Sequence, residues 1–134
     1  MSLSGCVLVV DDQEDIRESL REVIELAGCE SICAANGVEA LRLLERHRPC
    51  LIVLDLLMPV MNGSEVLDEL QKHPELAQLP VVISTSAPDL APEGVPVLPK
   101  PIDIARLWTF LRGNCQCAAA TPPRSVPKPG AASD

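Results

Sequence analysis

Two short apolar runs in this 134-residue chain end in aspartate. Cys6-Val7-Leu8-Val9-Val10 leads into Asp11-Asp12, and Leu51-Ile52-Val53-Leu54 leads into Asp55. A third run, Val95 to Leu98, is followed by Lys100-Pro101. Continuous apolar runs are the signature of buried parallel strands, and open parallel sheets bind ligands just outside the carboxyl ends of their strands. If the three runs are neighbours in one sheet, three carboxylates and one ammonium converge. Clustered carboxylates repel and raise at least one pKa. A hard divalent cation removes that penalty, and magnesium takes one or two carboxylates, carbonyl oxygen, waters and phosphoryl oxygen. A carboxylate beside such a cation can attack phosphorus to give an acyl phosphate. Lys100 would neutralise phosphoryl charge as a point-charge donor, and Thr85 could donate its hydroxyl to a phosphoryl oxygen.

The elements that must hold these groups alternate in type. Strand patterns cover 6–10, 29–34, 50–54, 81–84 and 95–98. Between the first two, Ile16, Leu20, Val23, Ile24 and Ala27 share one helical face, and Gly28 stands where a C-terminal cap belongs. Asn36 and Glu39 have capping-box spacing ahead of a helix carrying Ala40, Leu41 and Leu44. After the Pro59 and Asn62-Gly63 loop, Ser64 starts a helix with Val66, Leu67 and Leu70 inward, ending before Pro74. Asp103 caps a last helix bearing Ile104, Leu107, Trp108 and Leu111. Alternating βα units predict an α/β fold with a parallel sheet covered on both faces. Five such strands resemble the flavodoxin-like doubly wound order 2-1-3-4-5, with Asp12 and Asp55 at the switch point between strands 1 and 3. The segment 85–94 contains two prolines and a glycine, so the fourth helix should be shortened or absent.

Composition narrows the classes. The length predicts one domain, residues 1–113, followed by a Pro/Ala-rich disordered tail, 114–134. Net charge is −8, without the basic stripe of a nucleic-acid binder, so no direct DNA binding is expected. No apolar run is long enough to span a membrane, and the N-terminus shows no secretory signal; the expectation is a cytoplasmic protein. Cys6, Cys29, Cys33 and Cys50 sit in or beside strand patterns and read as buried thiols rather than disulfides or metal ligands. Cys115 and Cys117 have C-x-C spacing without a nearby second pair in sequence, and read as incidental tail thiols. His47 and His73 lie near helix ends and carry no role.

Four motifs in order, Val7-Leu8-Val9-Val10-Asp11-Asp12, Leu54-Asp55-Leu56-Leu57-Met58-Pro59 through Gly63, Pro80 through Thr85, and Leu98-Pro99-Lys100-Pro101, resemble the response regulator receiver domain of two-component signalling over residues 5–113. The resemblance implies Asp55 as phosphoacceptor. It implies magnesium (or manganese) on Asp12, Asp55 and the Leu57 backbone carbonyl, with Asp11 acting through water. Thr85 would be the switch hydroxyl, Lys100 the phosphoryl contact, and Lys100-Pro101 a cis bond. The donor would be a phosphohistidine on a sensor histidine kinase or histidine phosphotransfer protein, and the chain a stand-alone receiver rather than an enzyme. Two departures fall on signal output: Val97 stands where the family often has an aromatic switch, and the fourth helix is lacking. Two other readings compete: a phosphorylation-independent protein-interaction module on the same fold, and a magnesium phosphohydrolase with an aspartyl-phosphate intermediate. The second is disfavoured by Leu57, which stands where such an enzyme usually carries a second acid.

Overall fold

The computed structural model describes residues 6–118. The elements run β1 (Cys6–Val10), α1 (Glu14–Leu26), β2 (Glu30–Ala34), α2 (Gly37–Leu43), β3 (Leu51–Asp55), α3 (Gly63–Gln71), α4 (Pro74–Ala77), β4 (Val81–Thr85), β5 (Val97–Pro99) and α5 (Ile104–Asn114). The strands form one parallel sheet in the order β2-β1-β3-β4-β5.

Alternation along the central strands divides the core. Val7, Val9, Leu51, Val53, Val82 and Leu98 face α1 and α5, where Leu20, Val23, Ile24, Leu107, Trp108 and Leu111 close one layer. Leu8, Val10, Ile52, Leu54 and Ile83 face α2 and α3, where Ala40, Leu44, Val66 and Leu70 close the other. With both faces covered, β1 and β3 are buried at every position, which is why they read as unbroken apolar runs.

Local chemistry sets the helix ends. After α1, Gly28 (φ 98°) lets its N–H donate to Glu25 O and the Cys29 N–H donate to Ile24 O. This pair of bonds satisfies carbonyls the helix would otherwise orphan. Asn36 accepts from the Glu39 N–H, but Glu39 reaches back to the Ala35 N–H rather than to Asn36 itself. The full capping box lies at α3, between Asn62 and Glu65, so α3 begins at Gly63, one residue before the predicted Ser64. Pro74 does not end the helical stretch for good: as the first residue of a short helix its missing N–H costs nothing. Between β4 and β5 the chain makes a single 3-10 turn, Pro88–Leu90, in place of a crossover helix.

The cysteines depart from expectation. Cys29 is disulfide-bonded to Cys117, and Cys50 to Cys115, each with Cα atoms 5.2 Å apart. Cys33 is exposed on the edge strand β2, and among the described residues Cys6 is the buried cysteine outside the two bonds. The reason is topological: α5 runs back beneath the amino ends of the strands, where Cys29 and Cys50 stand just ahead of β2 and β3. Cys115 is buried there against the α1–α5 core layer, directly after the last residue of α5, Asn114. The remainder of the predicted tail, 119–134, lies outside the described residues.

Candidate functional site

Register brings the acids together. Val10 pairs with Leu54 across β1 and β3, so the residues that follow, Asp11 and Asp55, emerge side by side. Carboxylate oxygens of Asp11, Asp12 and Asp55 lie within 4.8 Å of one another. Asp11 and Asp55 are only 1% and 5% exposed, whereas Asp12 faces solvent. Lys100, arriving from the end of β5, sets its Nζ 2.8 Å from Asp11 Oδ2 and 3.5 Å from Asp55 Oδ1.

Asp11 is held from several directions. Its N–H donates to Ala34 O at 3.1 Å. Its Oδ1 accepts from the Gln13 N–H at 2.9 Å, and its carbonyl accepts from Arg17 Nη1 at 2.8 Å. Asp55 is the strained member. Burial first, and then the neighbouring Asp11 charge, push its carboxyl up to about 6, against the opposing pull of Lys100. Asp12 adds to the rise, and a hydrogen bond from the Leu57 backbone opposes it. The site therefore carries surplus negative charge that one lysine does not cancel. Hard oxygen donors, one of them open to water, and an uncompensated charge fit a hydrated divalent cation.

The loop from Asp55 to α3 is tightly built. The Gly63 N–H donates to Leu56 O at 2.8 Å. A Cβ on Gly63 would stand 2.6 Å from Asp55 O and 2.9 Å from Leu56 Cα, both backbone atoms that cannot yield. Asn62-Gly63 reads in the sequence merely as loop punctuation, yet this glycine lets the backbone carrying Asp55 pass beneath α3. Leu57 is 52% exposed and buries no core surface, in contrast to its neighbours Leu56 and Met58.

At β4, Asp55 pairs with Ser84, and Thr85 follows as the last strand residue. Thr85 is buried; its Oγ1 accepts from the Ala87 N–H at 2.9 Å, and its carbonyl accepts from the Lys100 N–H at 2.8 Å. That second bond ties the threonine to the lysine segment, where the Lys100-Pro101 peptide is cis. Ser84 Oγ is buried without a hydrogen-bond partner among the described residues, a feature that nothing in the strand pattern foretells. Val97 is partly buried in β5, where it packs against the α2–α3 core layer.

Comparison with known proteins agrees with this geometry. The family model described as response regulator receiver domain matches residues 7–112. The polar-differentiation response regulator DivK of Brucella anthropi is 40% identical over 80 residues, 60% of this chain and 65% of that protein. The response regulator MprA of a Mycobacterium species is 37% identical over 114 residues, 79% of this chain and 48% of that protein. The chain thus spans between a third and two-thirds of the length of such relatives. Among solved structures, the chemotaxis protein CheY4 of Vibrio cholerae superposes with a TM-score of 0.73 at 29% identity, covering 84% of this chain and 99% of that one. With the 2-1-3-4-5 sheet and an acid cluster at its carboxyl edge, this chain belongs to the receiver domain family of two-component response regulators.

Proposed function

We propose that Asp55 accepts a phosphoryl group from a phosphohistidine on a sensor histidine kinase or histidine phosphotransfer protein. The observation that carries this reading is the buried Asp55 carboxylate, crowded by Asp11 and reached by Lys100 Nζ. Phosphoryl transfer needs little covalent work from the protein; positioning and charge stabilisation suffice. An Asp55 carboxylate oxygen forms the new bond to phosphorus as the phosphorus–nitrogen bond to imidazole breaks, and the departing imidazole recovers a proton from solvent. Asp12, Asp55 and the Leu57 carbonyl would hold magnesium (or manganese), with Asp11 acting through water. The cation, when bound, supplies positive charge to the carboxylates and to the phosphoryl oxygens. Lys100 moves from its pairing with Asp11 toward the phosphoryl group, and Thr85 exchanges its contact with Ala87 for a phosphoryl oxygen. In the cytoplasm the receiver relays phosphate or switches a protein contact, without turnover of its own.

The test is incubation of the full chain with magnesium and a small phosphoryl donor such as acetyl phosphate, followed by intact mass. Wild type should gain one phosphoryl group and Asp55→Asn none. Equal labelling of both, or of neither, defeats the proposal. A second reading, binding without phosphorylation, is favoured by the single 3-10 turn between β4 and β5 and by Val97 in place of an aromatic switch. Partner binding unchanged by Asp55→Asn would select it.

A further inference from the structure

Three cysteine sulfurs cluster at the opposite edge of the sheet from the acid pocket, and a fourth is bonded to one of them. Sγ atoms of Cys50, Cys115 and Cys117 lie within 4.8 Å of one another, and Cys29 joins the group through its bond to Cys117. They come from three distant parts of the chain. Cys29 follows the Gly28 cap of α1, Cys50 precedes β3, and Cys115 and Cys117 form a C-x-C turn after α5. The turn is fitted closely: the Cys115 N–H donates to Leu111 O, and the Ala118 N–H donates to Cys115 O. A Cβ on Gly28 would stand 2.9 Å from the Cys117 carbonyl oxygen.

Two disulfides this close together set four sulfurs where a tetrathiolate metal site would also need them. Zinc binds four cysteine sulfurs at about 2.3 Å in a tetrahedron, which puts neighbouring sulfurs about 3.8 Å apart. Opening each sulfur–sulfur bond lets its two atoms separate by the small amount that geometry needs. Disulfides are rare where thiols are kept reduced, and a cysteine framework inside cells is more often metal-binding.

We propose that Cys29, Cys50, Cys115 and Cys117, once reduced, form a structural site for one zinc ion that clips the end of α5 to the amino edge of the sheet. The two forms interconvert by balanced steps. Two disulfides take up four electrons from a dithiol or phosphine reductant, together with four protons, to give four thiols. One zinc ion then displaces those four protons as the thiolates bind. All four ligands come from protein, leaving no open position for substrate, so the role is to hold structure. This site is independent of Asp55 chemistry, and its test does not use phosphorylation.

The full chain, reduced with a phosphine and stripped by chelator, is titrated with zinc and separately with cobalt(II), with excess magnesium present to fill the acid pocket. One zinc per chain is expected by native mass spectrometry. Cobalt should give a sulfur-to-metal charge-transfer band and the intense visible bands of a tetrahedral site. Cys117→Ser should weaken zinc binding by more than roughly tenfold, since losing even a group that merely supports a ligand costs that much. Cys33→Ser, at an exposed cysteine outside the cluster, should bind as wild type does. Reduced wild type with no stoichiometric zinc and no sulfur–cobalt band overturns the proposal, even if Cys117→Ser fails to fold. A band unchanged in both Cys29→Ser and Cys117→Ser overturns it equally.

Discussion

Replacing Asp55 with asparagine should stabilise the cation-free protein at neutral pH, although it removes the proposed phosphoacceptor. Asp55 is buried beside Asp11, and its carboxyl rises from an ordinary 3.8 to about 6. At about 1.36 kcal/mol per pH unit, that rise sets a ceiling of about 3 kcal/mol on the folding free energy lost when the group ionises. The loss is sizeable against a typical total stability of about 5–15 kcal/mol. The direction follows from proton linkage. A carboxyl whose folded pKa is raised binds its proton more tightly in the native state, so its charge costs stability above about pH 6 and costs nothing below 3.8. Asparagine has nearly the same shape and no charge, and Lys100 keeps its 2.8 Å partner Asp11. Urea unfolding in chelator at about pH 8 should therefore find Asp55→Asn more stable than wild type by up to about 3 kcal/mol. The gap should close as pH falls from 6 towards 3.8. Magnesium should narrow it at neutral pH by stabilising wild type more than the variant. An asparagine variant less stable than wild type at about pH 8, or a gap independent of pH, would refute the assignment of surplus charge to this pocket.

Other outcomes follow from the same structure. Leu57→Asn should hasten loss of the phosphoryl group from Asp55, because the half-exposed leucine screens the acyl phosphate from water; unchanged decay in a phosphate-release assay rejects this. Gly63→Ala should cost more than about 2 kcal/mol in denaturant unfolding, since its methyl would collide with the backbone of Asp55 and Leu56. Val60 is 79% exposed with φ 71°, a conformation costly for a β-branched residue and tolerated by asparagine. Val60→Asn should therefore raise stability by about 1 kcal/mol, and a lower thermal midpoint would count against it.

The boundary between what was legible and what was not follows interaction range. Elements declared by neighbouring residues were readable: the buried strands from their unbroken apolar runs, α1 from its spaced stripe, and α5 from Asp103. The shortened crossover at 88–90 followed from two prolines and a glycine, because proline acts on its own backbone. The acid–lysine convergence was also readable, since every participant ends a strand and parallel strands put their carboxyl ends on one edge. Pairings that depend on exact register were not. Ser84 stands opposite Asp55, and Gly63 passes against the Asp55 backbone, for reasons no local pattern carries.

The cysteines mark the division most sharply. Cys29 and Cys117 are 88 residues apart, and Cys50 and Cys115 are 65 apart. Read singly, Cys29 and Cys50 resemble small buried hydrophobes, and Cys115 and Cys117 incidental tail thiols. Their meeting depends on α5 ending beneath the strands, and that docking is driven by burial of Leu107, Trp108 and Leu111 against the sheet. Propensity, patterning and capping act within a few residues, so the strands, the longer helices and the chemical inventory of the acid pocket were legible in the chain, whereas the short α4 at Pro74 was not. The tertiary structure alone decided the pressure on the Asp55 proton and the company of the cysteines, because burial and charge proximity exist only once distant segments share a dry interior.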